Sequence, residues 1–185
     1  MTGLFGGAFD PPHNGHVALA EAALERFELE RLLVLVVVDP GHRNVATDFA
    51  MRFHLAELAF GGLPRTEVVP EEHRFTVDAV RSGRFGDAIF LVGADEFASF
   101  LSWKDPNGVL AEVRLGVATR PGFPRTALGP VLKRLERPDR VELFDIPEVP
   151  VSGTDIRARV ARGEPLEAFV PDSVAAEIDR LGLYR

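Results

Sequence analysis

The 185 residues include no cysteine and no glutamine. The first absence excludes disulfide staples, thiolate metal sites and thiol nucleophiles. It fits a reducing cytoplasm. With only three asparagines and many arginines and glutamates, it fits a heat-loving source equally well. Positive charge is also short, since 21 Lys and Arg stand against 28 Asp and Glu, a net of −7. Nucleic acid and anionic membranes call for excess cation, so neither is an expected partner. A local basic pocket for one small anion remains open. No stretch approaches the ~20 apolar residues of a membrane span. The start lacks the basic and apolar layout of a signal peptide. These absences predict a cytoplasmic protein that binds small molecules.

What is present fits one domain over residues 1–185, with 46% hydrophobic residues to build a core. "TGLFGGAF" (2–8) reads as a strand stopped by Gly-Gly. A helix follows, with Asn14 as its cap and apolar positions at helical spacing from Val17. "RLLVLVVV" (31–38) and "AIFLVGA" (88–94) are apolar runs typical of strands covered on both faces. Strands are also expected at 66–70, 112–119 and in "RVELFDI". Helices are expected at 48–61 (capped by Asp48), 76–83, 95–103 (capped by Asp95), 126–136, 152–163 and 172–183. Alternating strands and helices predict an α/β fold, a Rossmann-like doubly wound parallel sheet with helices on both faces. Such sheets bind ligands beyond the carboxyl ends of the strands, where the strand order reverses.

The first strand–helix junction, "GGAFDPPHNGH" (6–16), is the candidate for that place. Gly6, Gly7 and Gly15 leave backbone bare, and a helix N-terminus carries amides without internal partners that attract phosphate. His13 and His16, three apart, share one side of the first turn. They would serve there as charged donors near neutral pH. Alone, the same residues equally describe a tight turn with capping or solvent-exposed histidines. Asp10 is read as ordering the glycine loop rather than as a metal ligand. Near the C-terminus, "VSGTDIR" (151–157) offers Ser152 and Thr154 at a helix start. Asp155 would close a capping box with Ser152, and Arg157 would be a forked cation for phosphates. In "GADEFASFLSW" (93–103), Asp95 could accept from a ribose and Trp103 could stack on a flat ring, while Phe97 and Phe100 suit the core.

Together these stretches resemble the nucleotidyltransferase α/β superfamily. Its H-x-G-H signature matches His13–His16, and its [IV]-S-[ST]-x-x-[RK] signature matches residues 151–157, with Gly153 where relatives often carry serine. The G-A-D-x-[FL]-x-x-[FL]-x-x-W pattern at 93–103 is similar to one branch, the bacterial nicotinate-nucleotide adenylyltransferases. "RFTVDAV" (74–80), "PGHRN" (40–44) and the closing "VPDSVAAEIDRLGLY" are similar to the same branch. The usual Ala-Gly-x-x-Pro-Pro run is missing before His42, Arg43 replaces a lysine, and Ala79 replaces a threonine.

The resemblance implies transfer of the adenylyl group of ATP to nicotinate mononucleotide, with release of pyrophosphate. His13, His16 and Arg157 would be catalytic. ATP would meet Gly6, Gly7, Phe9, His13, Gly15, His16, Gly93, Asp95, Ser152, Thr154 and Arg157. The acceptor would meet Thr76, Trp103, His42 and Arg43. Mg²⁺ would bridge the phosphates without a protein cage, and copies of the chain could assemble as a homo-oligomer. Alternatives are an adenylyltransferase of the same fold using nicotinamide mononucleotide or phosphopantetheine, and a nucleotide-binding regulator without turnover.

Overall fold

A computed structural model describes residues 1–41 and 45–185. Its centre is one six-stranded sheet formed by β1 (Thr2–Gly7), β2 (Arg31–Val37), β3 (Thr66–Glu71), β4 (Ala88–Gly93), β5 (Arg114–Thr119) and β6 (Val141–Asp145). The order is β3-β2-β1-β4-β5-β6 and every pairing is parallel. The expected doubly wound sheet is therefore present. Strand order reverses between β1 and β4, which places a crevice at their carboxyl ends.

Period-two alternation within the apolar runs explains why two layers of helix are needed. Phe5 of β1, Leu32, Val34 and Val36 of β2, and Ile89 and Leu91 of β4 enter one core. That core is closed by α1 (Asn14–Arg26), α2 (Phe49–Phe60) and α8 (Asp172–Leu181). Leu4, Leu33, Leu35, Phe90 and Val92 enter the other. It is covered by α3 (Thr76–Arg81), α4 (Ala94–Ala98), α5 (Pro106–Glu112) and α6 (Gly129–Leu132). The remaining helix, α7 (Gly153–Ala161), follows β6 and buries Ile156 in the first core.

Three expectations about elements need correction. The segment 95–103 is not one helix. It divides into α4 and a 3-10 turn at Phe100–Ser102, because the Ser99 and Ser102 hydroxyls donate to the carbonyls of Glu96 and Ser99 and compete with the helix ladder. The helix expected over 126–136 is a 3-10 turn (Arg125–Leu128) followed by the single turn of α6. Finally, α5 went unread, and β5 starts at Arg114 rather than at 112. Its signal was present: Asp105 caps it through Gly108, with Pro106 in the first turn.

Candidate active site

β1 ends in Gly6-Gly7, and the chain then folds back at Phe9, whose φ is +51°. A Cβ on Gly7 would lie 2.8 Å from the Phe9 ring, so the bare backbone there makes room for that ring as well as for a ligand. Phe9 is buried, edge-on to Phe5 and Phe60, and backs the His16 ring at 5.1 Å. A Cβ on Gly15 would come 3.2 Å from the His13 ring. The small residues of this motif thus accommodate its own rings.

His13, not Asn14, is the N-cap of α1. The two histidines cap the helix reciprocally. The His16 amide donates to His13 Nδ1 (3.3 Å), and the His13 amide donates to His16 Nδ1 (3.2 Å). Their rings stack at 3.6 Å, 17° apart. This is the geometry of a capping box, with imidazoles standing in for the usual Ser and Glu. An Nδ1 that accepts from backbone carries no proton, so in each neutral ring the proton sits on Nε2. Burial lowers the His13 pKa to about 4. The expectation of a charged donor near neutral pH is therefore overturned for His13. At pH 7 it is a neutral imidazole with a fixed tautomer. Nor is the helix end as bare as expected, since the Asn14 amide donates to the Phe169 carbonyl (2.9 Å).

The second motif meets the first. Ser152 caps α7, accepting from the Asp155 amide at 3.2 Å. The expected reciprocal box does not form, because the Asp155 carboxylate accepts the Ser152 hydroxyl at 2.6 Å instead. Arg157 donates through Nη1 to the Asp10 carbonyl (2.6 Å) and through Nη2 to Thr154 Oγ1 (3.3 Å). A Cβ on residue 153 would stand 3.2 Å from the Asp10 carbonyl oxygen and 3.4 Å from Arg157 Nη1. Glycine there lets the two motifs close on each other.

Asp10 is the junction, with its side chain only 7% exposed. Its carboxylate accepts from the Ala46 amide, from Thr47 Oγ1 (2.7 Å) and from the Tyr184 hydroxyl (2.8 Å). These bonds reach residues 46–47 and the C-terminal tail, whereas the sequence reading had Asp10 ordering the glycine loop. Behind Asp10, Arg52 of α2 is 1% exposed, and Nη1 donates to the carbonyls of Ala8 (2.9 Å) and Val37 (2.8 Å), Nη2 to that of Val38 (3.1 Å). Burial lowers its pKa, and the charge of Asp10 opposes that shift.

A cleft of about 870 Å³ runs across the β1–β4 switch point. Every described residue assigned above to ATP or acceptor lines it: Gly6, Gly7, Phe9, His13, Gly15, His16, Gly93, Asp95, Ser152, Thr154 and Arg157, with Thr76 and Trp103. His42 and Arg43 lie outside the described residues. Asp95 is not a cap, since Gly93 holds that position. Its carboxylate instead pairs with Arg120 at 2.5 Å. Trp103 is part-buried, edge-on to Phe90 and Phe100. At the same end Phe75 is 40% exposed, with Lys104 Nζ 4.9 Å from its ring. Glu71, 3% exposed, accepts from the His73 amide and ring Nδ1 (2.8 Å) and pairs with Arg84. Among the described residues, no three His, Cys, Asp or Glu side chains gather to hold a metal. No helix among them is long and apolar enough to cross a membrane.

Sequence reasoning missed Arg52, Arg120 and Tyr184. A charged residue inside the apolar face of α2 and a single tyrosine next to the chain end were the available signals.

Comparison with known proteins agrees with this fold. Residues 4–159 match the family model described as cytidylyltransferase-like. Proteins named "Probable nicotinate-nucleotide adenylyltransferase" are similar throughout. That of Moorella thermoacetica is 35% identical, over 100% of this chain and 91% of that protein. That of Gemmatimonas aurantiaca is 38% identical, over 99% and 92%. In fold, the chain is similar to Plasmodium falciparum nicotinic acid mononucleotide adenylyltransferase complexed with NaAD. The TM-score is 0.79 at 16% identity, over 99% of this chain and 96% of that one.

Proposed function

The chain belongs to the cytidylyltransferase-like family, in its nicotinate-nucleotide adenylyltransferase branch, and from that premise we propose that it transfers the adenylyl group of ATP to nicotinate mononucleotide. The products are nicotinate adenine dinucleotide and pyrophosphate. One observation supports this reading above others: two stacked imidazoles with Nδ1 tied to backbone, in the same cleft of about 870 Å³ that Arg157 lines.

In the proposed step an oxygen of the acceptor's 5′-phosphate attacks the α-phosphorus of ATP. The new bond is Pα–O, the bond to the β-phosphate bridge breaks, and its electron pair leaves with pyrophosphate. The attacking oxygen is ionised at neutral pH, so no enzyme nucleophile or strong base is needed. Catalysis is then positioning and charge stabilisation. His13 and His16 donate from Nε2 to the α-phosphate, with the α1 N-terminus behind them. Donors held in place by backbone do this without proton transfer. Arg157, aligned by Asp10 and Thr154, stabilises charge on the departing pyrophosphate. Asp95 receives the ribose, exchanging it for Arg120. Thr76 and Trp103 receive the nicotinate end, with His42 and Arg43 assigned to the acceptor's phosphate.

Mg²⁺ belongs to the proposal as an ion carried by the ATP phosphates, where it neutralises charge. The donor set fits this, because the Asp10 carboxylate is already occupied by three donors and Arg157 stands beside it as a cation for phosphate. A cytoplasmic location goes with the cysteine-free composition. Pyrophosphate release from ATP, measured with nicotinate mononucleotide, nicotinamide mononucleotide and phosphopantetheine in parallel, tests the reading. Release is expected with the first. Release confined to either of the others, or with none, contradicts it.

A further inference from the structure

Tyr184 is the single tyrosine and the next-to-last residue. Its φ is +64°, a left-handed conformation that side-chain-bearing residues seldom adopt, and its ring packs against the first core. The hydroxyl crosses 174 positions of sequence to donate to Asp10 Oδ1 at 2.8 Å. Thr47 Oγ1 donates to the same oxygen, and the Ala46 amide to the other. Both belong to the segment leading from β2 into α2, which follows His42 and Arg43, assigned above to the acceptor. The Asp10 main chain meanwhile presents its carbonyl to Arg157. One buried residue therefore carries the register between the histidine turn, residues 46–47 and the phosphate-binding arginine. The C-terminal tail supplies one of the bonds that fix it.

We infer that Tyr184 is a positioning residue for adenylyl transfer, holding Asp10 so that it anchors residues 46–47 and aligns Arg157 at once. This rests on the adenylyl-transfer reading given above. Without the hydroxyl, Asp10 keeps its charge but loses one of its three carboxylate donors, and nothing else on the tail replaces it. Residues 46–47 and the Arg157 fork then lose their common reference. Among the described residues, Gly93 and Asp95, assigned above to ATP, share no hydrogen bond with this junction.

Tyr184→Phe keeps the ring and removes only the donor. With ATP and nicotinate mononucleotide, kcat is expected to fall about tenfold, on the scale of a hydrogen bond to a charged group. The acceptor's KM should rise several-fold and that for ATP should stay within about twofold. Adding Tyr184→Phe to Asp10→Ala should cost little beyond Asp10→Ala alone, since the tyrosine hydroxyl acts through that carboxylate. A purely structural tyrosine would lower the melting midpoint and leave the per-molecule kcat and both KM values unchanged at 25 °C. That result, or losses that multiply in the double variant, overturns the proposal. If Tyr184→Phe does not fold, Thr47→Val removes the other hydroxyl from the same oxygen. The same rise in acceptor KM is expected, and an unchanged value overturns the proposal equally. A wild-type enzyme silent in the assay defeats the adenylyl-transfer reading and this inference together. An active wild type matched by its variants defeats only the inference.

Discussion

The two ends of the cleft are held by different kinds of bond. At the histidine turn most of the anchoring contacts run to main chain, beside the side-chain bonds of Asp10 to Thr47 and Tyr184. His13 and His16 bond each other's amides, Arg157 bonds the Asp10 carbonyl, and Arg52 bonds three carbonyls from the ends of β1 and β2. At the far end the contacts are side-chain ion pairs, Lys104 with Asp78 at the surface and Arg84 with the buried Glu71, around a part-exposed Phe75 and Trp103. Backbone anchors cost little to keep and cannot drift. Exposed pairs are worth ~0–1 kcal/mol and rearrange readily. The difference teaches a division of labour: the end assigned to phosphorus chemistry is rigid before substrate arrives, and the end assigned to acceptor recognition can adapt.

The sharpest break in this contrast comes from His16→Ala, which removes one preorganised donor. Turnover is expected to fall roughly 10²- to 10³-fold, read as the pyrophosphate release rate at saturating substrates. Next is Arg52→Met, which leaves the carbonyls of Ala8, Val37 and Val38 without their donor. A loss of about 3 kcal/mol or more is expected, seen as a fall of roughly 6–12 °C in the melting midpoint.

The neutral imidazole of His13 gives a third, pH-dependent test. Its folded pKa, about 4, lies below the ordinary histidine value of 6.5. Between those values the unfolded chain binds the extra proton and the native one does not, so this contribution is complete above pH 6.5 and is lost as pH falls toward 4. The loss is about 2–3 kcal/mol, taking roughly 1.4 kcal/mol per pKa unit. Unfolding by urea at pH 7 and at pH 4.5 measures it, and His13→Asn should flatten the dependence. At the adaptable end Lys104→Ala should change the acceptor's KM less than about fivefold and barely move stability, as expected for an exposed pair. A larger loss there would show that the recognition end is also rigid.

Much of this was legible in the sequence, and the limits have physical causes. The buried strands declared themselves as β-branched runs, and H-x-G-H with V-S-G-T-D-I-R marked both sides of the switch point. Local patterns located the parts that local backbone geometry dictates. They did not locate Tyr184 or Arg52, because their roles exist only once β1, α2 and the C-terminal tail converge on Asp10. The protonation of His13 was misread for the same reason. A sequence shows that a histidine is near a helix start, but not that it will be buried against the stacked His16 ring. Asp95 was read as a cap because Gly-Ala-Asp before a helix allows it. The structure starts that helix one residue earlier and turns the carboxylate to Arg120.

The central claim is that the Nε2 protons of His13 and His16 receive the α-phosphate of ATP. A crystal structure with a non-hydrolysable ATP analogue tests it most directly. An α-phosphate oxygen at about 3 Å from each Nε2 is the predicted result, and an α-phosphate more than about 6 Å from both would contradict it.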